Sequence, residues 1–61
     1  MIVLTTEAVA RIAHEADAWN ADTVRIDYSR ISHASVTLVR GGDRDERSFH
    51  VAEDGEMDEI A

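Results

Sequence analysis

Histidines and carboxylates are the side chains of this 61-residue sequence that could support catalysis. His14 falls in a predicted helix, His33 in a predicted loop and His50 in a predicted strand, and no serine lies in a G-x-S-x-G motif. Scattered histidines among many acids are common in small acidic proteins, so this pattern indicates no particular reaction. We therefore expect the protein not to be an enzyme, with His14 and His50 facing solvent.

The segment DRDE, residues 43–46, resembles the first positions of a calcium-binding loop. In that alignment Arg47 occupies the third ligand position, and the glycine needed at the sixth position is absent. A guanidinium group repels a cation, and Asp43 directly after Gly41-Gly42 would repel a phosphate. We expect neither a metal ion nor a cofactor.

The six basic residues are all arginine, a bias that GC-rich coding DNA or adaptation to high salt can produce. Five of the six lie between residues 25 and 47, in or near the predicted sheet, where they could contact a nucleic acid. Binding to DNA depends largely on neutralising phosphates, however, and the chain has a formal net charge of −7. Direct binding to nucleic acid is therefore not expected.

Negative charge is the most distinctive property of the sequence. Residues 51–61 hold five carboxylates and no basic residue. Such charge can simply keep a small protein soluble and monomeric. It can also imitate a row of phosphates, because alternate strand residues lie roughly 6.6–6.8 Å apart, similar to the spacing along a nucleic acid strand. The candidate partner-binding residues are Asp43, Asp45, Glu46, Glu53, Asp54, Glu56, Asp58 and Glu59. We expect them to meet a basic protein surface, with the chain a monomer rather than a homodimer.

Apolar spacing predicts the elements that must position these carboxylates. Helical spacing of apolar residues predicts an amphipathic helix over about residues 6–20, capped by Thr5 or Thr6. The apolar stripe of this helix consists of Val9, Ile12, Ala13, Ala16 and Trp19. Alternating residues predict strands over 23–29, 35–40 and 47–52, with Phe49 and Val51 facing inward. The predicted fold class is α+β: one N-terminal helix packed on a three-stranded antiparallel sheet, in the order αβββ.

The acidic C-terminal segment, residues 53–61, has two expected states. Met57 and Ile60 are three residues apart, so one helical turn could fold back on the core. Repulsion among five carboxylates would instead leave the segment frayed. We expect a single small domain over residues 1–61, of marginal stability because so short a chain buries little surface and has no cysteine. The sequence begins with no signal peptide or membrane-spanning run, so a cytoplasmic location is expected.

The runs GDRDE and AEDGEMDE, in a very short, cysteine-free and strongly acidic chain, resemble the small inhibitors that phages and mobile elements encode. Anti-CRISPR proteins that act as DNA mimics are similar in size, charge and lack of catalytic motifs. This resemblance implies a non-enzymatic inhibitor that binds a DNA-contacting subunit of a CRISPR surveillance complex in the host cytoplasm. Arg44 and Arg47 depart from an uninterrupted acidic surface.

A second hypothesis treats the acidity as incidental. The chain would then be a small interaction or assembly protein, antitoxin-like or a virion accessory. Its specificity would come from a sheet edge or from an apolar patch that includes Val39, Ile60 or residues 2–4.

Overall fold

A computed structural model describes residues 1–42 and 44–60 of the chain. It contains one helix and four strands: α1 Thr6–Ala18, β1 Thr23–Asp27, β2 Ala34–Arg40, β3 Asp45–Val51 and β4 Met57–Ile60. The strands form one antiparallel sheet in the order β1-β2-β3-β4. The predicted α+β class is confirmed, but the expectation of three strands is wrong because the acidic C-terminal segment supplies a fourth.

Helix α1 begins and ends with capping structures that its sequence encodes. The Thr5 hydroxyl accepts a hydrogen bond from the Ala8 amide at 3.1 Å, as expected for an N-cap. At the other end Asn20 adopts a left-handed φ of 59°, and the Ala21 amide donates to the Ala16 carbonyl at 2.8 Å. This Schellman-type end turns the chain toward β1 two residues earlier than the predicted helix boundary.

The core lies between α1 and one face of the sheet. It consists of Ala8 and Ile12 from the helix and of apolar side chains from the two central strands, Val36, Leu38, Phe49 and Val51. Val9 and Ala13, which belong to the predicted apolar stripe of the helix, are exposed. The helix therefore covers the middle of the sheet and leaves part of its own apolar surface uncovered.

Strand β3 begins at Asp45, two residues before its predicted start. Gly41 and Gly42 both have positive φ, 66° and 64°, and this allows the turn between β2 and β3. Asp45 is in register with Arg40, and Glu46 with Val39, so both acids belong to the sheet rather than to the segment between the predicted strands 35–40 and 47–52.

Strand β4 continues the sheet where a helical turn or a frayed end was expected. Met57 is in register with Val51 and Ile60 with Ser48. Alternation sends Met57 to the core side of the sheet and Ile60 to the opposite face, where it is 43% exposed. The two apolar residues therefore do not form one side of a helical turn.

Candidate acidic interface

The predicted partner-binding carboxylates lie in separate places along the last two strands. Asp45 and Glu46 open β3, and the turn of residues 52–56 follows its far end, about 20 Å away at the rise of a strand. Asp58 and Glu59 lie on β4 and point to opposite faces, opposite His50 and Phe49 respectively. Asp43 lies outside the described residues. The fold thus distributes these carboxylates instead of collecting them on one face.

Three of the predicted carboxylates form ion pairs with arginines. Arg40 contacts Asp45 at 3.2 Å, Arg25 contacts Glu46 at 3.2 Å, and Arg47 donates two hydrogen bonds to Glu59, at 3.0 and 2.8 Å. The Arg25–Glu46 pair crosses β2 on the face away from the helix, at the level of Val39, which is 1% exposed. Pairing neutralises much of the negative charge at these three positions.

Arg47 occupies a central position that the sequence did not reveal. It lies on the helix side of β3, with its guanidinium 5.0 Å from the Phe49 ring and 5.8 Å from the Trp19 ring. It also lies 3.9 Å from a carboxylate oxygen of Glu15 on α1. The hydrogen bonds from Arg47 lower the pKa of Glu59 below its usual value, and the pKa of Arg47 is raised in turn. Arg47 therefore links β4 to β3 and to the helix.

The other acidic residues gather at the end of the molecule where the helix begins. The 52–56 turn is closed by bonds from the Ala52 amide to the Glu56 carbonyl, at 2.8 Å, and from the Glu56 amide to an Asp54 carboxylate oxygen, at 3.0 Å. The Thr5 hydroxyl and amide both donate to the Glu53 carbonyl, at 2.9 and 3.2 Å. These bonds fix the turn against the first turn of α1.

Gly55 sets how closely the turn approaches the helix. Its φ is 99°, and a Cβ placed there would lie 3.1 Å from the Ala8 Cα. Close contact places the turn against the first turn of α1, which holds Glu7 near the positive end of the helix dipole, and beside the Arg11 side chain, whose Cδ would lie 3.2 Å from that Cβ. We call this surface the acidic end; it comprises Glu7, Glu53, Asp54 and Glu56. All four are exposed, and none forms an ion pair with another described residue.

A groove of about 660 Å³ runs from the acidic end between α1 and the last two strands. Phe49 and Met57 contribute apolar surface to it, while Arg11, Glu15 and Arg47 contribute charges of both signs. The histidines do not converge there. His14 borders the groove, whereas the His33 and His50 rings contact each other elsewhere, with centroids 4.0 Å apart and planes tilted by 36°. Within residues 1–42 and 44–60, no group of three or more potential ligands could hold a metal ion.

The chain matches no protein-family model, no curated protein and no solved structure. In the described part of the chain, no helix is both long and apolar enough to cross a membrane.

Proposed function

We propose that this chain is a non-enzymatic inhibitor that binds a nucleic-acid-binding protein by electrostatic mimicry of DNA. The observation that supports the proposal is the acidic end, where four exposed carboxylates lie on two adjoining turns without arginine partners among the described residues. Carboxylates arranged in this way can accept charge-assisted hydrogen bonds from arginines and lysines that otherwise hold phosphates.

Mimicry requires that the carboxylates be presented in a fixed arrangement. The Thr5–Glu53 bonds and the close Gly55–Ala8 contact support this requirement, because they hold the turn against the helix. A preorganised acidic surface loses little conformational freedom on binding. The net charge of −7 would also accelerate encounter with a basic partner and make binding sensitive to salt.

The resemblance to anti-CRISPR proteins suggests the class of target. A CRISPR surveillance complex contains a basic channel for DNA, and the acidic end would occupy part of that channel in the cytoplasm of the host. Asp58, on the face of β4 away from the helix, would extend the contact. Asp45, Glu46 and Glu59 contribute less in this proposal because each already has an arginine partner.

The test is displacement of labelled target DNA from purified CRISPR surveillance complexes at several salt concentrations. The variant Glu53→Gln/Glu56→Gln and the control Asp17→Lys change the net charge equally, but Asp17 lies near the C-terminal end of α1. We expect the double variant to lose about tenfold or more in affinity, because the loss of one charge-assisted hydrogen bond already has an effect of that size. The control should lose little.

Two outcomes would contradict the proposal. If both variants displace DNA as well as the wild-type chain does, the acidic end is not the contact surface. If binding is unaffected by salt, the contact is not electrostatic. Failure to bind any surveillance complex would exclude this class of protein as the target.

An assembly protein with incidental acidity is the second candidate, and apolar exposure favours it. Val9, Val24 and Tyr28 are 48%, 38% and 38% exposed. Val39, which the sequence analysis placed in such an apolar patch, is buried instead. The two candidates differ in their salt dependence, because salt weakens electrostatic contacts and leaves apolar ones intact.

A further inference from the structure

Strand β1 is a free edge of the sheet. Within the described ranges it pairs only with β2, so its other side presents unpaired backbone groups. Three of the devices that protect an edge are absent from it: the chain contains no proline and no lysine, and no charge points to the helix side, where Val24 and Ile26 are apolar. Its charged residues, Arg25 and Asp27, lie on the other face. Such an edge is suited to pairing with another strand.

The surface beside this edge is apolar as well. Glu7, Arg11 and His14 line the groove on the β4 side of α1, so Val9 and Ala13, on the other side of the helix, face toward β1. Val24 on β1 and Tyr28 just beyond it are exposed and uncharged as well. We call the surface formed by Val9, Ala13, Val24 and Tyr28 the β1 side.

We infer that two copies of this chain pair through antiparallel β1 strands, with Ile26 on the two-fold axis. This register places Arg25 of one copy opposite Asp27 of the other on the face away from the helix. On the helix side it places Val24 opposite Tyr28, a pairing of β-branched and aromatic residues. The result is a continuous eight-stranded sheet.

The two nearest alternative registers are unfavourable. Shifting the axis to Arg25 would place two arginines directly opposite each other, and like charges in that position are destabilising. Moving the axis by one residue changes the pairing by two; a change of only one residue in the pairing would turn Val24 and Ile26 of the second copy to the face away from the helix. In the proposed register Arg25 lies between Glu46 of its own chain and Asp27 of the second copy, so its positive charge faces carboxylates on both sides.

The N-terminal residues limit the extent of the pairing. The Ile2 amide donates to the Tyr28 carbonyl at 3.4 Å, so these residues adjoin the chain just beyond β1. The paired segment therefore ends at Tyr28. Self-pairing differs from the monomer expected from net charge, because β1 itself is balanced by Arg25 and Asp27 while the acidic end lies elsewhere.

Sedimentation of the full chain across a wide concentration range tests the association. We expect the mass to rise from one chain to two, and added salt to preserve or strengthen the dimer because it screens repulsion between two chains of −7. Val24→Asp should give a monomer, whereas Ile60→Asp, a comparable change from an apolar to an acidic residue on the opposite edge strand, should leave association unchanged. A wild-type chain that stays monomeric, or equal effects of the two variants, would overturn the proposal.

Single cysteines test the register without depending on the folding of Val24→Asp. The chain has no cysteine, so an Arg25→Cys variant and an Asp27→Cys variant can be mixed in an oxidising buffer. Directly opposed residues lie close enough for a disulfide. We expect covalent dimers from the mixture and none from Arg25→Cys alone. Efficient self-linking of Arg25→Cys would place Arg25 on the axis and refute the proposed register.

Discussion

The two edge strands of this sheet differ in how well they resist pairing with other strands. β4 is four residues long, contains Asp58 and Glu59, and directs Glu59 toward the helix side, where Arg47 binds it. β1 is five residues long, has balanced charge and directs apolar residues to the helix side. A short edge with an inward-pointing charge resists pairing with other strands, whereas an apolar edge permits it.

The unpaired carboxylates and the exposed apolar residues of the β1 side therefore lie on different parts of the molecule. The acidic end, the Arg47–Glu59 ion pair and the close contact between Gly55 and Ala8 all lie on the β4 side of the helix. The β1 side is uncharged and retains partly exposed apolar residues. One small domain can therefore offer two surfaces that respond in opposite ways to salt.

The variant Gly55→Ala should destabilise the fold more than any other variant described below. A methyl group there would lie 3.1 Å from the Ala8 Cα, and the left-handed φ of 99° adds strain. We expect a loss of about 2–4 kcal/mol in the free energy of unfolding. Because a chain of this length has only roughly 3–9 kcal/mol in total, urea unfolding should show a much weaker fold.

Gly42→Ala is the matched control for that variant. Gly42 also has positive φ, 64°, but a Cβ there meets nothing within 4 Å. We expect a loss of only about 1 kcal/mol from backbone strain. Equal losses for the two variants would mean that the turn does not depend on close contact with the helix.

Arg47→Ala should weaken the fold less than Gly55→Ala and more than Arg25→Ala does. Arg47 contacts two aromatic rings and two carboxylates, whereas the Arg25 side chain is 60% exposed and has one ion pair. Exposed ion pairs contribute little to stability. Thermal unfolding of both variants at one pH measures the order, and a lower melting temperature for Arg25→Ala would contradict it.

Glu59→Gln should have the smallest effect, and that effect should depend on pH. Arg47 lowers the pKa of Glu59 in the folded state, so the ionised carboxylate stabilises the fold above its ordinary pKa of 4.5. This contribution disappears as the pH falls through the lowered pKa. The stability difference between wild type and Glu59→Gln should therefore be largest at neutral pH and vanish in acid.

Midpoints of urea unfolding, measured from neutral to acidic pH for both proteins, test this pH dependence. Glu56→Gln serves as the control because Glu56 has no arginine partner among the described residues. A difference between wild type and Glu59→Gln that persists in strong acid would show that the charge of Glu59 is not the cause.

Local patterns predicted the elements whose signals are contained within a few residues. The Thr5 cap, the helix and the strands around Val24, Val36 and Phe49 follow from capping chemistry and hydrophobic period. β4 was missed because MDEI has two acids and little strand propensity, so only its pairing with β3 makes it a strand. The exposure of Val9 likewise depends on where the sheet ends, which no helical pattern encodes.

The candidate site was predicted in composition but not in arrangement. The charge count identified the carboxylates, while ion pairing depends on strand register. The Arg47–Glu59 bonds join residues 12 positions apart on neighbouring strands, and the Arg25–Glu46 pair spans a whole strand. In the sequence Arg47 interrupts the acidic run, and its central role depends on which face of β3 meets the helix, which the sequence does not specify.

Thr5 and Glu53 are 48 positions apart in the chain, and their contact has a thermodynamic consequence. One residue of the acidic end, Glu7, comes from the N-terminal part of the chain and the other three from the C-terminal part, so the surface exists only in folded molecules. A ligand that binds there selects the folded state and stabilises it by mass action, by about 2.7 kcal/mol at a free concentration one hundred times its dissociation constant. For so small a domain, occupancy of that surface would greatly prolong survival against proteases that attack unfolded chains.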